Sequence, residues 1–340
     1  MPHAPRFVLA GLTGAAACTA ALSLPAGGAA PDRNPAYTDP AQTDEDFPFQ
    51  GEYAGTVAHD AGSVAMGVQV VALGGGKFAA VGYPGGLPGA GWTRPDRVLG
   101  TGERLGERVR LECFDWAGTR RVAEVAEGRL VVLGDDGTAV ATLPKVDRAG
   151  PTLGQKPPPG AIVIFDGTGV DRLVDGRMTD DGLLMEGATS RDTYGDATLH
   201  LEFLLPYQPL DRGQGRANSG CYVHGCYEVQ ILDSFGLEGR DNECGGIYKA
   251  AAPDVNMCLP PLAWQTYDID FTAARFEDGR KVRNARMTVR HNGVVIHPDR
   301  EIPAMTPGGP QQQEGPTGPL FLQDHGNPVR FRNVWVLPKP

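Results

Sequence analysis

The clearest pattern in the chain is an exchange of apolar and polar residues at every step. It is sharpest from Asn218 to Ser234, NSGCYVHGCYEVQILDS, on either side of His224-Gly225-Cys226. Side chains alternate across a strand, so Cys221, Val223, Tyr227, Val229 and Ile231 are predicted on one face. Asn218, Tyr222, Glu228 and Gln230 fall on the other. A three-residue hairpin loop pairs Val223 with Tyr227 and Tyr222 with Glu228. His224, at the tip, is expected to be exposed, and Cys221 to be a small core residue.

The same period recurs through the second half of the chain. Ala197, Leu199, Leu201 and Phe203 alternate with Thr198, His200 and Glu202; Tyr267, Ile269 and Phe271 alternate with Thr266, Asp268 and Asp270. Asn292-Gly293 between two apolar runs is a type I′ hairpin signal. About ten strands with no intervening helices predict an all-β, two-sheet sandwich of the jelly-roll kind over residues 161–338. Shorter strand-like runs, Val68–Leu73, Lys77–Val81, Arg108–Phe114, Arg129–Leu133 and Ala139–Leu143, predict a small antiparallel accessory domain over 47–146. Between the two, residues 147–160 with three consecutive prolines read as a stiff, extended linker. Residues 31–46 are polar and rich in Pro and Asp and read as a disordered leader.

Composition narrows the function classes. With 47 Gly, 29 Pro and 21% charged residues in 340, the chain is loop-rich. A net charge of −10 without a Lys/Arg cluster argues against a nucleic-acid partner. Arg6, the apolar and small-residue run Phe7–Leu24 and the small residues up to Ala30 predict a signal peptide cleaved near Ala30, hence a secreted or periplasmic protein. Cys18 lacks the Leu three residues earlier that a lipoprotein signal would carry, and no permanent membrane span is predicted. Export permits disulfides, and the five cysteines after Ala30 are an odd number; Cys244 and Cys258, bracketing a Gly-rich loop, are one candidate pair with the pairing left open, and no cysteine spacing matches a structural zinc site.

An aromatic ring, a carboxylate and amides on one strand face form the equipment of a sugar-binding surface, and the carboxylate there can move a proton. A second polar cluster lies in GPLFLQDHGNPVRFRNVWVLP: if Leu320 and Leu322 face the core, Phe321, Gln323 and His325 share the opposite face. His325 is a candidate acid or base, although Asp324–Pro328 also reads as a turn held by its own polar side chains. Glu202 is a candidate ligand contact sharing the face of Glu228, although a carboxylate on an outer strand face is ordinarily just solvated. Asp233, before Ser234, is expected to cap a loop.

NSGCYVHGCYEVQILDS, GGIYKAAAPDVNM, WQTYDIDF, VRHNGVVIH and GPLFLQDHGNPVRFRNVWV, in this order over about Ile162–Leu337, resemble the 3-keto-disaccharide hydrolases, also called 3-keto-α-glucoside-1,2-lyase/3-keto-2-hydroxy-glucal hydratases. The resemblance implies a concanavalin A-like fold and, as partner, a glycoside or disaccharide already oxidised at carbon 3. It implies loss of the carbon 2 proton, expulsion of the glycosidic oxygen, and hydration of the glycal. Glu228 and His325 are then the candidate base and acid in either order. Gln230, Gln323, Arg330 and Lys249 are charge-stabilising candidates, and Tyr222, Tyr248 and Asn218 hold the sugar. No cofactor is firmly implied; a divalent cation at the ketone is neither required nor excluded. A non-catalytic carbohydrate-binding module and a cell-surface structural protein are the competing readings.

Overall fold

The computed structural model of the chain describes residues 34–59, 62–93, 96–114 and 118–340. The predicted signal peptide, residues 1–30, and residues 31–33 of the leader lie outside the described residues. Among the described residues, no helix is long and apolar enough to cross a membrane.

Eight antiparallel strands close into an up-and-down barrel between Gly51 and Val146, with Ala139–Val146 pairing back onto Gly51–His59 and a short parallel pair, Leu87–Pro88 and Gly91–Trp92, standing outside it. Inward-facing Tyr53, Val70, Phe78, Leu111 and Leu143 fill it. Three of its strands are absent from the sequence-based prediction: Gly51–His59, Val98–Leu105 and Arg120–Ala126. In VLGTGERL the glycines read as turn signals, yet they allow close strand contact. A Cβ on Gly102 would lie 2.5 Å from the Leu111 side chain, and one on Gly100 2.9 Å from the Glu112 carbonyl oxygen.

The leader, as far as it is described, is ordered, which corrects the expectation of disorder. The Tyr37 and Tyr207 backbones exchange hydrogen bonds at 3.0 and 2.8 Å. The ring of Phe47 packs edge-on against Tyr207 with centroids 5.0 Å apart, and the buried Asp46 accepts from Gly76 N and Arg104 Nε. Aromatic side chains in a polar sequence supplied the burial that composition alone concealed.

From residue 162 the chain forms the predicted concanavalin A-like sandwich. One sheet has seven strands, with Ala197–Leu204 between Arg330–Pro338 and Trp264–Thr272. The other has five, with Gly318–Leu322 beside Ser219–Val223 and Tyr227–Ile231 at its edge. Leu199, Leu201, Phe203, Ile269 and Phe271 from the first meet Cys221, Val223, Tyr227, Val229 and Leu322 from the second in a single core. The hairpin has the predicted register: Val223 pairs with Tyr227 and Tyr222 with Glu228. His224 and Gly225 turn it with φ of 54° and 62°. His224 is buried and not exposed; its ring packs on Phe271 at 4.6 Å and its Nε2 lies 3.1 Å from Gly195 O. Asn292 and Gly293, φ 50° and 82°, make the other predicted tight turn.

The predicted stiff linker is instead a folded strap. Turns close at Gly150–Leu153, Thr152–Gln155 and Pro158–Ala161. Thr152 Oγ1 donates to Asp268 Oδ2 at 2.6 Å and Gly154 N to Glu202 Oε1 at 2.6 Å. At its start, Arg148 reaches both carboxylate oxygens of the buried Glu52 on the barrel.

Barrel and sandwich meet through the loop between Leu204 and Ser219. Tyr207 enters the barrel core, Arg212 Nη2 donates to Leu73 O at 2.8 Å, and buried Arg216 spans Ala72 O and Asp233 Oδ2. Asp233 also accepts from Phe235 N, in keeping with its expected capping role. The barrel thus braces the loop that delivers Gln214 and Asn218. Cys244 and Cys258 are free thiols, so the candidate Cys244–Cys258 bridge is not formed. The Cys244 sulfur lies 3.2 Å from the Tyr267 hydroxyl.

Candidate active site

The outer face of the five-stranded sheet gathers most of the predicted polar residues. Alternation that sends Cys221 and Val229 into the core turns Tyr222, Glu228 and Gln230 outward, and Leu320 and Leu322 do the same for Phe321 and Gln323. The Tyr222 hydroxyl donates to Glu228 Oε2 at 2.7 Å and lies 3.0 Å from Pro307 O, while Gln323 Nε2 donates to it at 3.3 Å. The Phe321 ring packs beside Tyr222, centroids 5.5 Å apart.

Glycines make room for this pair. A Cβ at Gly220 would lie 2.2 Å from Glu228 Oε1, and one at Gly308 would lie 2.7 Å from the Tyr222 oxygen. The strand carrying Glu228 is the sheet edge, and it is covered rather than open. Glu228 N donates to Thr306 Oγ1 at 2.8 Å, and its carbonyl oxygen accepts from Tyr248 N at 3.1 Å.

Glu228 is buried with one side-chain donor, the Tyr222 hydroxyl. Loss of solvation pushes its carboxyl up to about 8, and the Tyr222 hydrogen bond only partly offsets this. Burial and the neighbouring carboxylate raise Tyr222 above the ordinary tyrosine range, so it remains a donor.

Beyond Gln230 the face continues as a patch of amides. Gln230 Nε2 donates to Gln214 Oε1 at 3.0 Å, Asn218 Nδ2 to Gln214 O at 2.8 Å, and Gln214 Nε2 to Asn242 O at 2.7 Å. Asn218 Oδ1 and Gln230 Oε1 are buried acceptors with no hydrogen-bonding partner among the described residues. Such oxygens suit sugar hydroxyls, or an oxygen-seeking cation. No group of three or more His, Cys, Asp or Glu is gathered for a metal among the described residues.

Four candidates stand apart from this cluster. Glu202 is fully buried on the outer face of the other sheet, beneath the strap, so its expected sharing of a face with Glu228 is corrected. It accepts from Arg332 Nε at 2.7 Å, Asn333 Nδ2 at 2.8 Å and Gly154 N, and His200 Nε2 lies 3.6 Å away. Burial raises its pKa, but these partners outweigh burial and hold it down at about 2. Arg330 is likewise drawn off, to an ion pair with Glu186 Oε2 at 2.6 Å. His325 is exposed in the turn, where Gly326 N donates to Asp324 Oδ1, and no hydrogen bond or ion pair joins it to Glu228. Lys249 is exposed beside Tyr248, its Nζ 5.5 Å from the ring centroid.

Sequence reasoning missed Gln214, Thr306 and Pro307, which reach the cluster from loops without a periodic signal. Pro307-Gly308-Gly309 was the available hint, a tight segment that passes close over Tyr222.

Comparison with known proteins agrees with this frame. Residues 151–337, more than half of the chain, match the model of the 3-keto-alpha-glucoside-1,2-lyase-like domain, and the chain belongs to that family. No curated protein matches the chain. Among solved structures, a protein of Parabacteroides distasonis named "putative glycosyl hydrolase" is 29% identical, with a TM-score of 0.51; the match covers 61% of this chain and 99% of that one. A second protein of the same name and organism is 17% identical over 53% of this chain and 94% of its own, with a TM-score of 0.40.

Proposed function

We propose that the protein is a carbohydrate-active enzyme that cleaves 3-keto-glycosides by elimination and hydration, with Glu228 as its proton-transfer group. Family membership supports the carbohydrate class and the lyase chemistry. The observation that carries the site is Glu228 itself: a buried carboxyl whose one side-chain donor among the described residues is the Tyr222 hydroxyl, with a pKa raised to about 8. A module that only binds sugar needs the amides and the rings, but has no use for a poorly compensated carboxyl.

A ketone at carbon 3 acidifies the carbon 2 proton. A carboxylate whose conjugate acid has a pKa near 8 is a stronger base than an ordinary one, and a positioned base contributes typically about a hundredfold or more. Carbon 2 and carbon 1 are adjacent, so the acid formed on Glu228 lies within reach of the departing glycosidic oxygen. One carboxyl can therefore serve both steps, without His325. Tyr222 and Gln323 hold it in place, and Asn218 and Gln230 take sugar hydroxyls as acceptors. Hydration of the glycal returns a proton to carbon 2 and gives the 3-keto sugar.

Turnover of a 3-keto-glycoside in deuterated water tests the reading. The released sugar carries deuterium at carbon 2, and the unoxidised glycoside is left intact. Cleavage of the unoxidised glycoside without deuterium gain would mean direct displacement at carbon 1 instead, which needs a carboxyl pair flanking the bond.

A further inference from the structure

The matched family domain spans residues 151–337 and leaves the barrel outside it. The barrel is nevertheless built into the sandwich. Val71, from its strand Gly62–Ala72, packs in the sandwich core, and Tyr207, from the loop between Leu204 and Ser219, packs in the barrel core. The Tyr207 hydroxyl donates to Asp44 Oδ1 at 2.9 Å. Further along the same loop, Arg212 Nη2 donates to Leu73 O at 2.8 Å. The buried Arg216 donates from Nε to Asp233 Oδ2 at 2.6 Å and from Nη2 to Ala72 O at 3.3 Å. Between these anchors a single 3₁₀ turn, Gly213–Gly215, carries Gln214.

Gln214 engages both amino groups of the amide patch. Gln230 Nε2 donates to its Oε1 at 3.0 Å, and Asn218 Nδ2 donates to its backbone oxygen at 2.8 Å and to its Oε1 at 3.2 Å. Its own Nε2 donates to Asn242 O at 2.7 Å, so its side chain cannot turn over without losing that bond. Asn218 and Gln230 are left with Oδ1 and Oε1 as buried acceptors without a hydrogen-bonding partner among the described residues. An amide presents a donor or an acceptor according to which way it is turned, and here Gln214 fixes the turn. The Asn218 backbone is held as well. Its N donates to Asn327 Oδ1 at 3.1 Å, while Asn327 Nδ2 and Ala217 N both donate to Gln208 Oε1, beside Tyr207.

We propose that the barrel sets substrate affinity from outside the site: through Arg216 it fixes Gln214, and Gln214 commits the amides of Asn218 and Gln230 to accept hydrogen bonds from sugar hydroxyls. Arg216 and Gln214 are then positioning residues; the inference rests on the reading above that Asn218 and Gln230 hold the sugar. Without its barrel anchors the loop would have to be ordered each time substrate binds, and that ordering is subtracted from affinity. Proton transfer is spared, because Glu228 takes its side-chain donor from Tyr222 within the hairpin itself.

The test follows the full chain on the 3-keto form of methyl glucoside. Arg216→Met and Gln214→Leu should each raise KM about tenfold, the scale of one or two lost hydrogen bonds, with kcat within about twofold of wild type. Arg216→Lys, which keeps a charge beside Asp233, should recover part of the affinity. Glu202→Ala, which weakens the fold on the opposite face, is the control, and its KM should stay at the wild-type value. An unmoved KM in Arg216→Met and Gln214→Leu overturns the proposal, and so does a kcat that falls as far as KM rises. Hydrogen exchange at the backbone amides of residues 208–218 reads the anchor without substrate. It should be about tenfold faster in Arg216→Met, and exchange at the wild-type rate overturns the barrel's part. If Arg216→Met fails to fold, Arg212→Ala, at an exposed side chain, carries the same test: KM about twofold higher with faster exchange supports the proposal, and no change in either overturns it. If the wild type turns over no 3-keto-glycoside, the keto-sugar reading has failed, and exchange over residues 208–218 still decides whether the barrel fixes the loop.

Discussion

The two outer faces of the sandwich each bury a glutamate, and they treat it in opposite ways. Glu202, on the seven-stranded sheet, has Arg332, Asn333, Gly154 N and His200 around its carboxylate and is held at about 2. Glu228, on the five-stranded sheet, has the Tyr222 hydroxyl and is pushed to about 8. Burial is nearly equal; the supply of donors decides. Glu202 belongs to a structural network that continues through His200 Nδ1, 2.6 Å from Asp268 Oδ1, to Thr152 of the strap. Burial lowers the pKa of His200, but its two carboxylate neighbours raise it further, so it favours the charged form. A carboxylate so well satisfied has little tendency to take a proton. Glu228 is left ready to exchange one, at a cost in stability.

The largest expected effect breaks the comparison at Glu228. Glu228→Gln should lower kcat/KM on a 3-keto-glycoside by about a hundredfold or more while stabilising the protein in alkali. The sign follows from the raised pKa. Folded Glu228 keeps its proton up to about 8, whereas an ordinary glutamate releases it near 4.5, so stability is lost as pH rises through that window. Gln removes that slope, and the gain in Tm should be largest above pH 8. Wild-type kcat/KM should rise through the same pH as the basic form accumulates. A rate falling through pH 8 would assign Glu228 as acid instead of base, and near-normal turnover by Glu228→Gln would remove it from the reaction.

The next expected effect is on stability. Glu202→Ala strands Arg332 and His200, and breaking a buried charge network by removing one partner costs about 3 kcal/mol or more. The wild-type Glu202 contribution is present above the ordinary pKa and is lost as pH falls toward 2. Denaturant unfolding at neutral pH should show the loss, while kcat per folded molecule stays near wild type. A mutant that is stable but inactive would bring Glu202 back to the chemistry.

How much of this was legible in the sequence differs between the two faces for a physical reason. Tyr222 and Glu228 lie six residues apart on one hairpin, and a three-residue loop fixes their register, so local alternation sufficed to place them together. The same alternation correctly turned Glu202 away from the core, but parity cannot say which side of a two-sheet sandwich an outer face occupies. Glu202 was placed on the face of Glu228 for that reason. The barrel was half legible because Gly100 and Gly102 mark close strand contact where composition suggests turns. The leader and the strap were misread because Tyr37, Thr152 and Gly154 find partners far away in sequence. Loop residues such as Gln214 and Thr306 enter the site by tertiary placement alone.

The smallest expected effect sharpens the comparison by testing whether Glu228 acts without a second group. Extending strand parity to His325 assumed that the strand continued, but it ends at Leu322 and the chain turns at Asp324–Asn327. The imidazole is exposed, with no hydrogen bond or ion pair holding it toward Glu228. His325→Ala leaves the Asp324 turn bond in place, since that bond uses Asp324 Oδ1 and Gly326 N. The expected change in kcat/KM is therefore less than about twofold, far below the hundredfold scale of a lost general acid or base. The most demanding comparison uses a 3-keto-disaccharide, because an alkoxide leaving group needs its proton more than a phenolate does. A hundredfold loss confined to that substrate, in a mutant with wild-type Tm, would make His325 the acid for poor leaving groups and end the one-carboxyl mechanism.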